Sequence, residues 1–157
     1  MEFNPEANLV ELLFSPANIS LELEKQAEEI ARTVAAKIGI VGVLAVEMFV
    51  TKDGKILVNE IAPRPHNSGH HTIEGNITSQ YEQHLRAICG MPLGATDIIR
   101  PAAMINILGE KGFSGPAIYQ GLEEVLHMPG VFIHLYGKTE TKPFRKMGHC
   151  TVVNVEL

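Results

Sequence analysis

The sequence predicts an α/β (α+β) fold: a mainly antiparallel sheet with packed helices, followed by a small C-terminal α+β subdomain. Three observations predict it. Asp53-Gly54 sits between two apolar, β-branched runs within Val43–Ile61, the strongest short-range hairpin signal. Apolar residues recur at helical spacing between Ser20 and Gly39. Past Pro92 the texture changes to short strand-like runs joined by Gly- and Pro-bearing turns. The boundary falls near residues 91–101, dividing the chain into 1–95 and 96–157.

Taken in order, Leu9–Phe14 reads as a strand. Ser20 caps a helix whose first turn carries Glu22 and Glu24, as the helix dipole prefers. Leu23, Ala27, Ile30, Ala31, Val34, Ala35 and Ile38 form its apolar stripe, and Gly39 closes it after Lys37. The hairpin follows. Residues 62–76 are too rich in Pro, Gly and Asn for regular structure. A second helix starts near Thr78, with Tyr81, Leu85 and Ile88 as its stripe, and ends at Gly90 and Pro92. Ala102–Leu108 reads as a strand, Tyr119–Leu126 as a short helix, and Val131–Tyr136 and His149–Val155 as two further strands. An apolar strand so close to Met1, with nothing before it to pair with, suggests that Met1 is an internal methionine of a longer protein.

At 157 residues the chain can bury one sizeable core. With 45% apolar and 20% charged residues, wholesale disorder is excluded. A formal charge of −5 argues against a nucleic-acid partner, which would need a basic face. No apolar run reaches the ~18 residues that span a bilayer, and no charged-then-apolar leader opens the chain. Cys89 and Cys150 lack a CxxC partner, so reduced thiols in a cytoplasmic protein with no membrane partner are expected.

If Asp53 and Gly54 are the two turn residues, Lys52 pairs with Lys55, Thr51 with Ile56, Val50 with Leu57 and Glu47 with Glu60. Directly opposed side chains have Cβ atoms about 5 Å apart, where like charges repel. Phe49 and Val58 share the face, so it is partly buried, and buried carboxylates need a cation or donors. Oxygen ligands point to Mg²⁺ or Mn²⁺ shared with substrate phosphates. The plainer alternative is two solvated glutamates paired with lysines. The strand then enters a loop bearing Arg64, His66, Asn67, Ser68, His70 and His71. Pro63 and Pro65 fix φ on either side of Arg64, whose planar fork suits an oxyanion or phosphoryl group. A hydrogen-bonded structural loop is the alternative. Zinc on His66, His70 and His71 has neither CxxC nor HExxH beside it. Lys138, Lys142, Arg145, Lys146 and His149 form the one basic cluster, either a solvated face or an anion pocket. GxxxxGK[ST], GxGxxG and GxSxG are all absent.

The run Asn59-Glu60-Ile-Ala-Pro-Arg64-Pro-His66-Asn67-Ser68-Gly69-His70, with Ala45-Val-Glu47-Met-Phe before it, resembles the ATP-grasp superfamily. Within it, the chain is similar to the 5-(carboxyamino)imidazole ribonucleotide synthases, and Gly137–His149 resembles their C-terminal subdomain. The resemblance extends over essentially the whole chain and implies the C-terminal half of an ATP-grasp domain over 1–95, with the synthase subdomain over 96–157. It implies ATP- and bicarbonate-dependent carboxylation of the amino group of 5-aminoimidazole ribonucleotide through carboxyphosphate, in purine synthesis. Glu47 and Glu60 then match the Mg²⁺ (or Mn²⁺) ligands, Asn59 and Glu60 the ATP-contacting positions, and Arg64 and His66 the catalytic pair. Asn67 and Ser68 match substrate-loop positions, and Lys138 and Arg145 the pair that grips the ribonucleotide phosphate. Ala62 stands where many ATP-grasp proteins carry a further asparagine ligand. The resemblance also implies a homodimer in the full-length protein, and an N-terminal domain and ATP lid that this chain lacks, so the chain alone is expected to be inactive. The rivals are a formate-dependent glycinamide ribonucleotide transformylase and a non-catalytic metal- or anion-binding module. In the former an aspartate, a threonine and a methionine stand where this chain has Asn67, Ser68 and His70.

Overall fold

The computed structural model describes residues 2–4 and 9–154. Its elements in chain order are β1 (Glu2–Asn4), β2 (Leu9–Ser15), α1 (Leu21–Ile38), β3 (Ala45–Val50), β4 (Ile56–Ala62), a 3-10 turn (Asn67–Gly69), α2 (Thr72–Gly75) and α3 (Gln80–Ile88). There follow β5 (Ala102–Leu108), β6 (Gly115–Pro116), α4 (Leu122–Leu126), β7 (Val131–Leu135), β8 (Glu140–Thr141) and β9 (Lys146–Val153). The chain forms two compact units. A hairpin unit comprises Ala17–Ile73 and Ile77–Asp97; a sheet unit takes the residues up to Pro16, Glu74–Asn76 and those from Ile98 onward.

In the hairpin unit α1 forms as its sequence dictates. Ser20 Oγ accepts from the Leu23 N–H at 3.3 Å, and Gly39 closes the helix at φ +68°, a left-handed conformation that suits glycine. Its predicted stripe is half-buried from Leu23 to Ala35, whereas Ile38 is exposed. The helix packs against β4.

The hairpin forms with a different turn from the one predicted. Thr51 N–H donates to Lys55 O and Gly54 N–H to Thr51 O, both at 2.9 Å, with Gly54 at φ +79°. The loop is therefore the three residues Lys52–Gly54, a tight turn followed by a left-handed glycine. Lys52 does not pair with Lys55. Val50 pairs with Ile56 and Phe49 with Leu57, each one residue away from expectation. Thr51 and Lys55 supply the reason: Thr51 Oγ1 accepts from Lys55 N–H at 2.9 Å and donates to Asp53 at 2.6 Å. Lys55 first and then Thr51 hold the Asp53 carboxyl below its usual range.

Residues 62–76, expected to be irregular, contain the 3-10 turn and α2. The next helix starts at Gln80, with Ser79 Oγ accepting from Glu82 N–H at 3.2 Å. Its expected stripe of Tyr81, Leu85 and Ile88 is exposed; Gln83, His84 and Ala87 are the covered side.

The sheet unit is a five-stranded antiparallel sheet in the order β1-β2-β5-β9-β7, with β6 and β8 as a separate two-residue pair. The predicted Leu9 strand finds its partner in β5, with Leu12 opposite Ile105. Ala102, Met104 and Thr151 are wholly buried, with Leu13, Ala103, Met147 and Val153 around them. The helix expected from Tyr119 begins at Leu122, because Gly121 adopts φ +73° just before it. The last strand starts at Lys146 rather than His149; its expected end at Val155 lies outside the described residues. β1, β6 and β8 were not expected, since two or three residues are too few for an alternation to show.

Candidate functional site

Glu47 lies opposite Glu60, as the hairpin signal predicts, but by a route the sequence does not reveal. Met48 pairs with Val58 and Glu47 with Glu60, so a bulge leaves Asn59 as the extra residue on β4. Without it the three-residue turn would set Glu47 against Asn59 and send Glu60 to the other face. The Asn59 amide donates to Glu47 Oε2 at 3.3 Å. Glu47 is 20% exposed and Glu60 57%. Val58, expected on this face, pairs with Met48 and turns to the other one; Leu57, opposite Phe49, takes its place, and both are about half exposed, so the acidic face is open toward Glu60.

His66 stands across both acids. Its Nδ1 is 3.7 Å from Glu47 Oε1 and its Nε2 3.5 Å from Glu60 Oε1. One ligand atom from each of Glu47, Glu60 and His66 lies within 4.8 Å of the others, the single such cluster among the described residues. Two carboxylates and an imidazole at this spacing fit a divalent cation, and the carboxylates favour Mg²⁺ or Mn²⁺. His70 and His71 do not join it, so the zinc alternative over His66, His70 and His71 finds no shared site among the described residues.

The pose of His66 is fixed by α3. His66 N–H donates to Gln80 Oε1 and Gln80 Nε2 donates to the His66 carbonyl, each at 2.8 Å. One side-chain amide thus binds both backbone groups of the residue, as a neighbouring strand would. The second amide hydrogen faces His70 Nδ1 at 2.9 Å, so that nitrogen accepts; Tyr81, stacked on the His70 ring, brings its hydroxyl to the same atom at 2.7 Å. Burial pushes the Tyr81 phenol up. A Cβ at Gly69 would come within 2.5 Å of Gln80 Oε1, which explains the glycine there. Two further α3 residues act alike. Gln83 binds Gly94 N–H and O at 2.9 and 2.8 Å, and His84 Nδ1 accepts from Val43 N–H at 3.1 Å, at the entry to β3. Sequence reading missed these three residues, since no local pattern marks an amide that bonds a distant loop.

Of the other predicted loop residues, Ser68 Oγ lies 2.9 Å from His66 Nδ1, and Ser68 O accepts from His71 Nδ1 at 2.9 Å. Asn67 opens the 3-10 turn and is half-buried. Arg64 is exposed, its Nη1 donating to Pro65 O at 3.0 Å. In the sheet unit, Arg145 Nη1 donates to Glu140 O at 2.9 Å. Lys138 Nζ donates to Lys146 O and stands 5.6 Å from the Tyr136 ring centre. The expected basic cluster is smaller than its sequence suggests. Lys146 belongs to β9, and His149 is 2% exposed inside the sheet unit, where it cannot meet a solvent-borne anion. The same unit holds a largely apolar cavity of about 520 Å³, lined among others by Ile107, Val125, Ile133 and Leu135. None of the predicted site residues lines it.

Comparison with known proteins points to one family. Residues 2–81 match the ATP-grasp domain family, and residues 102–157 the phosphoribosylaminoimidazole carboxylase C-terminal domain. The N5-carboxyaminoimidazole ribonucleotide synthase of Bacillus subtilis is 47% identical over 136 residues, covering 87% of this chain and 34% of the relative. The chloroplastic phosphoribosylaminoimidazole carboxylase of Vigna aconitifolia is 45% identical, covering 96% and 28%. Among solved structures, the synthetase of Thermotoga maritima superposes with a TM-score of 0.87 at 55% identity, over 90% of this chain and 39% of that one. The Aspergillus clavatus synthase, in complex with ADP and 5-aminoimidazole ribonucleotide, gives 0.87 at 42% identity, over 96% and 41%. The chain spans about a third of the length of the curated relatives it matches. With both segments matched, the chain belongs to the ATP-grasp family, on the branch of the N5-carboxyaminoimidazole ribonucleotide synthases.

Proposed function

We propose that this chain carries the metal-binding and substrate-loop portion of an ATP- and bicarbonate-dependent enzyme that carboxylates the amino group of 5-aminoimidazole ribonucleotide. The observation that carries the reading is the convergence of Glu47, Glu60 and His66 on one divalent-cation-sized space. The relatives solved with ADP and with 5-aminoimidazole ribonucleotide support the choice of substrates. Glu47 and Glu60 would hold Mg²⁺ or Mn²⁺, which neutralises phosphate charge when bound. Asn59, bonded to Glu47, keeps that carboxylate turned toward the site and, with Glu60, faces ATP. His66, fixed by Gln80 and Ser68, holds a ring nitrogen toward each acid and can donate to a transferring oxyanion. Arg64 offers its fork to the carboxyphosphate, and Asn67 and Ser68 line the substrate side of the loop. Lys138 and Arg145 bind the ribonucleotide phosphate. Positioning and charge neutralisation would supply most of the catalysis. A cytoplasmic location and a homodimer of the full-length protein belong to the same proposal.

The test is ADP release by the full-length protein in bicarbonate buffer, with and without 5-aminoimidazole ribonucleotide, beside this 157-residue chain. Stimulation by the ribonucleotide, its loss in Glu60→Ala with the fold intact, and silence from the short chain are expected. An unstimulated parent, or an active Glu60→Ala, would refute the reading.

A further inference from the structure

A row of polar side chains crosses the sheet unit where an apolar row would be expected. Residues directly opposed across antiparallel strands share a face. Asn106 of β5, His149 of β9 and His134 of β7 are so opposed. At one end Asn106 Nδ2 donates to Val10 O at 2.7 Å. His149 and His134 stack with ring centres 4.5 Å apart and planes at 16°. At the other end His134 Nε2 lies 2.7 Å from Glu74 Oε1. Asn106 is 5% and His149 2% exposed, the Glu74 side chain 10%, and His134, at the outer end, 33%. Burying these groups carries a desolvation penalty that valines or leucines would avoid. Stability alone therefore gives no reason for the row.

What the row holds is visible at Tyr136. Its hydroxyl lies 3.0 Å from His149 Nδ1, and its ring lies 5.6 Å from the Lys138 ammonium, within cation–π range. A lysine stem is long and flexible, and ordering it on binding costs rotamer entropy. A ring fixed beneath the ammonium, with the Lys146 carbonyl accepting one of its protons, lowers that cost. We propose that Glu74, His134, His149 and Tyr136 act as positioning residues that preset Lys138 for the phosphate of the ribonucleotide. The inference rests on the reading of Lys138 given above. It also gives His149 a task as a buried support rather than a basic contact.

The experiment uses the full-length protein and reads KM for the ribonucleotide against KM for ATP. Lys138→Met should raise the former upward of about tenfold, as loss of a charged hydrogen bond does. Tyr136→Phe keeps the ring and removes the hydroxyl that meets His149; it should raise the ribonucleotide KM by about fivefold, one ordinary hydrogen bond, with the ATP value unchanged. His134→Ala should do the same, and His134→Gln, which keeps a donor where Nε2 stands, should recover part of the loss. If Lys138→Met raises the ribonucleotide KM while Tyr136→Phe and a folded His134→Ala do not, the positioning inference is overturned and the phosphate reading stands. Should Lys138→Met itself leave that KM unchanged, the phosphate reading falls and the inference with it.

Discussion

The two units hold their polar groups in opposite ways. In the hairpin unit the described residues that are buried are Ala62 and Thr78, neither of them completely, and His66 is set by the Gln80 side-chain amide reaching across to its backbone. In the sheet unit Asn106 and His149, the inner part of the polar row, are sunk in a core built on Met104, Thr151 and their neighbours. A group held by a few directional bonds can be released by removing one of them. A group held by burial moves only if its surroundings do. The contrast suits the proposed tasks, since a metal ion and carboxyphosphate would come and go at the loop, whereas a support need only stay still.

Deleting core volume should separate the units most sharply. Met104→Ala, at a wholly buried position, should lower stability by about 2–5 kcal/mol in urea unfolding. Leu85→Ala, on the exposed side of α3, should change it by no more than about 0.5 kcal/mol. Equal losses would mean that the hairpin unit relies on burial after all. The next effect concerns the clamp. Gln80→Ala leaves the His66 N–H and carbonyl without their partner, and should lower stability by about 1–3 kcal/mol. In the full-length protein it should lower turnover far more than that loss of fold explains, as circular dichroism and ADP release together would show; an enzyme with normal turnover would make the clamp dispensable. The smallest difference is in the thiols. Cys89 is exposed, whereas burial first and then the Glu74 charge push the Cys150 thiol up. Because thiolate is the reactive form, Cys150 should alkylate about tenfold more slowly near neutrality and gain on Cys89 as pH rises toward its raised value. Mass spectrometry of partly alkylated protein would read the ratio, and equal rates would show the sheet unit to be more open than its geometry.

The parts legible in the sequence were those encoded locally. Ser20 and Gly39 bracket α1 because caps and stripe lie within one segment, and the alternation around Asp53-Gly54 announces a hairpin. The run from Asn59 to His70 was enough to indicate the family. What stayed hidden depends on residues brought together from far along the chain. Gln80 meets a residue 14 positions away, and the Asn106–His149–His134 row exists only once three strands take their register. His149 looked like a member of a basic loop because its neighbours are basic, yet β9 begins at Lys146 and carries it inside. Even the correct pairing of Glu47 with Glu60 was reached through a turn that does not form.

That last coincidence has an evolutionary reading. From Thr51 back to Glu47 and from Lys55 forward to Glu60 the two arms of the hairpin are unequal by one residue, and the extrusion of Asn59 absorbs the difference. The acidic pair therefore has an allowance for insertions and deletions. A residue gained at the turn can be taken up in the strand, and one lost there can be returned by ironing the strand flat. Drift in loop length, ordinarily fatal to a pair of opposed side chains, is made compatible with keeping both carboxylates on one face.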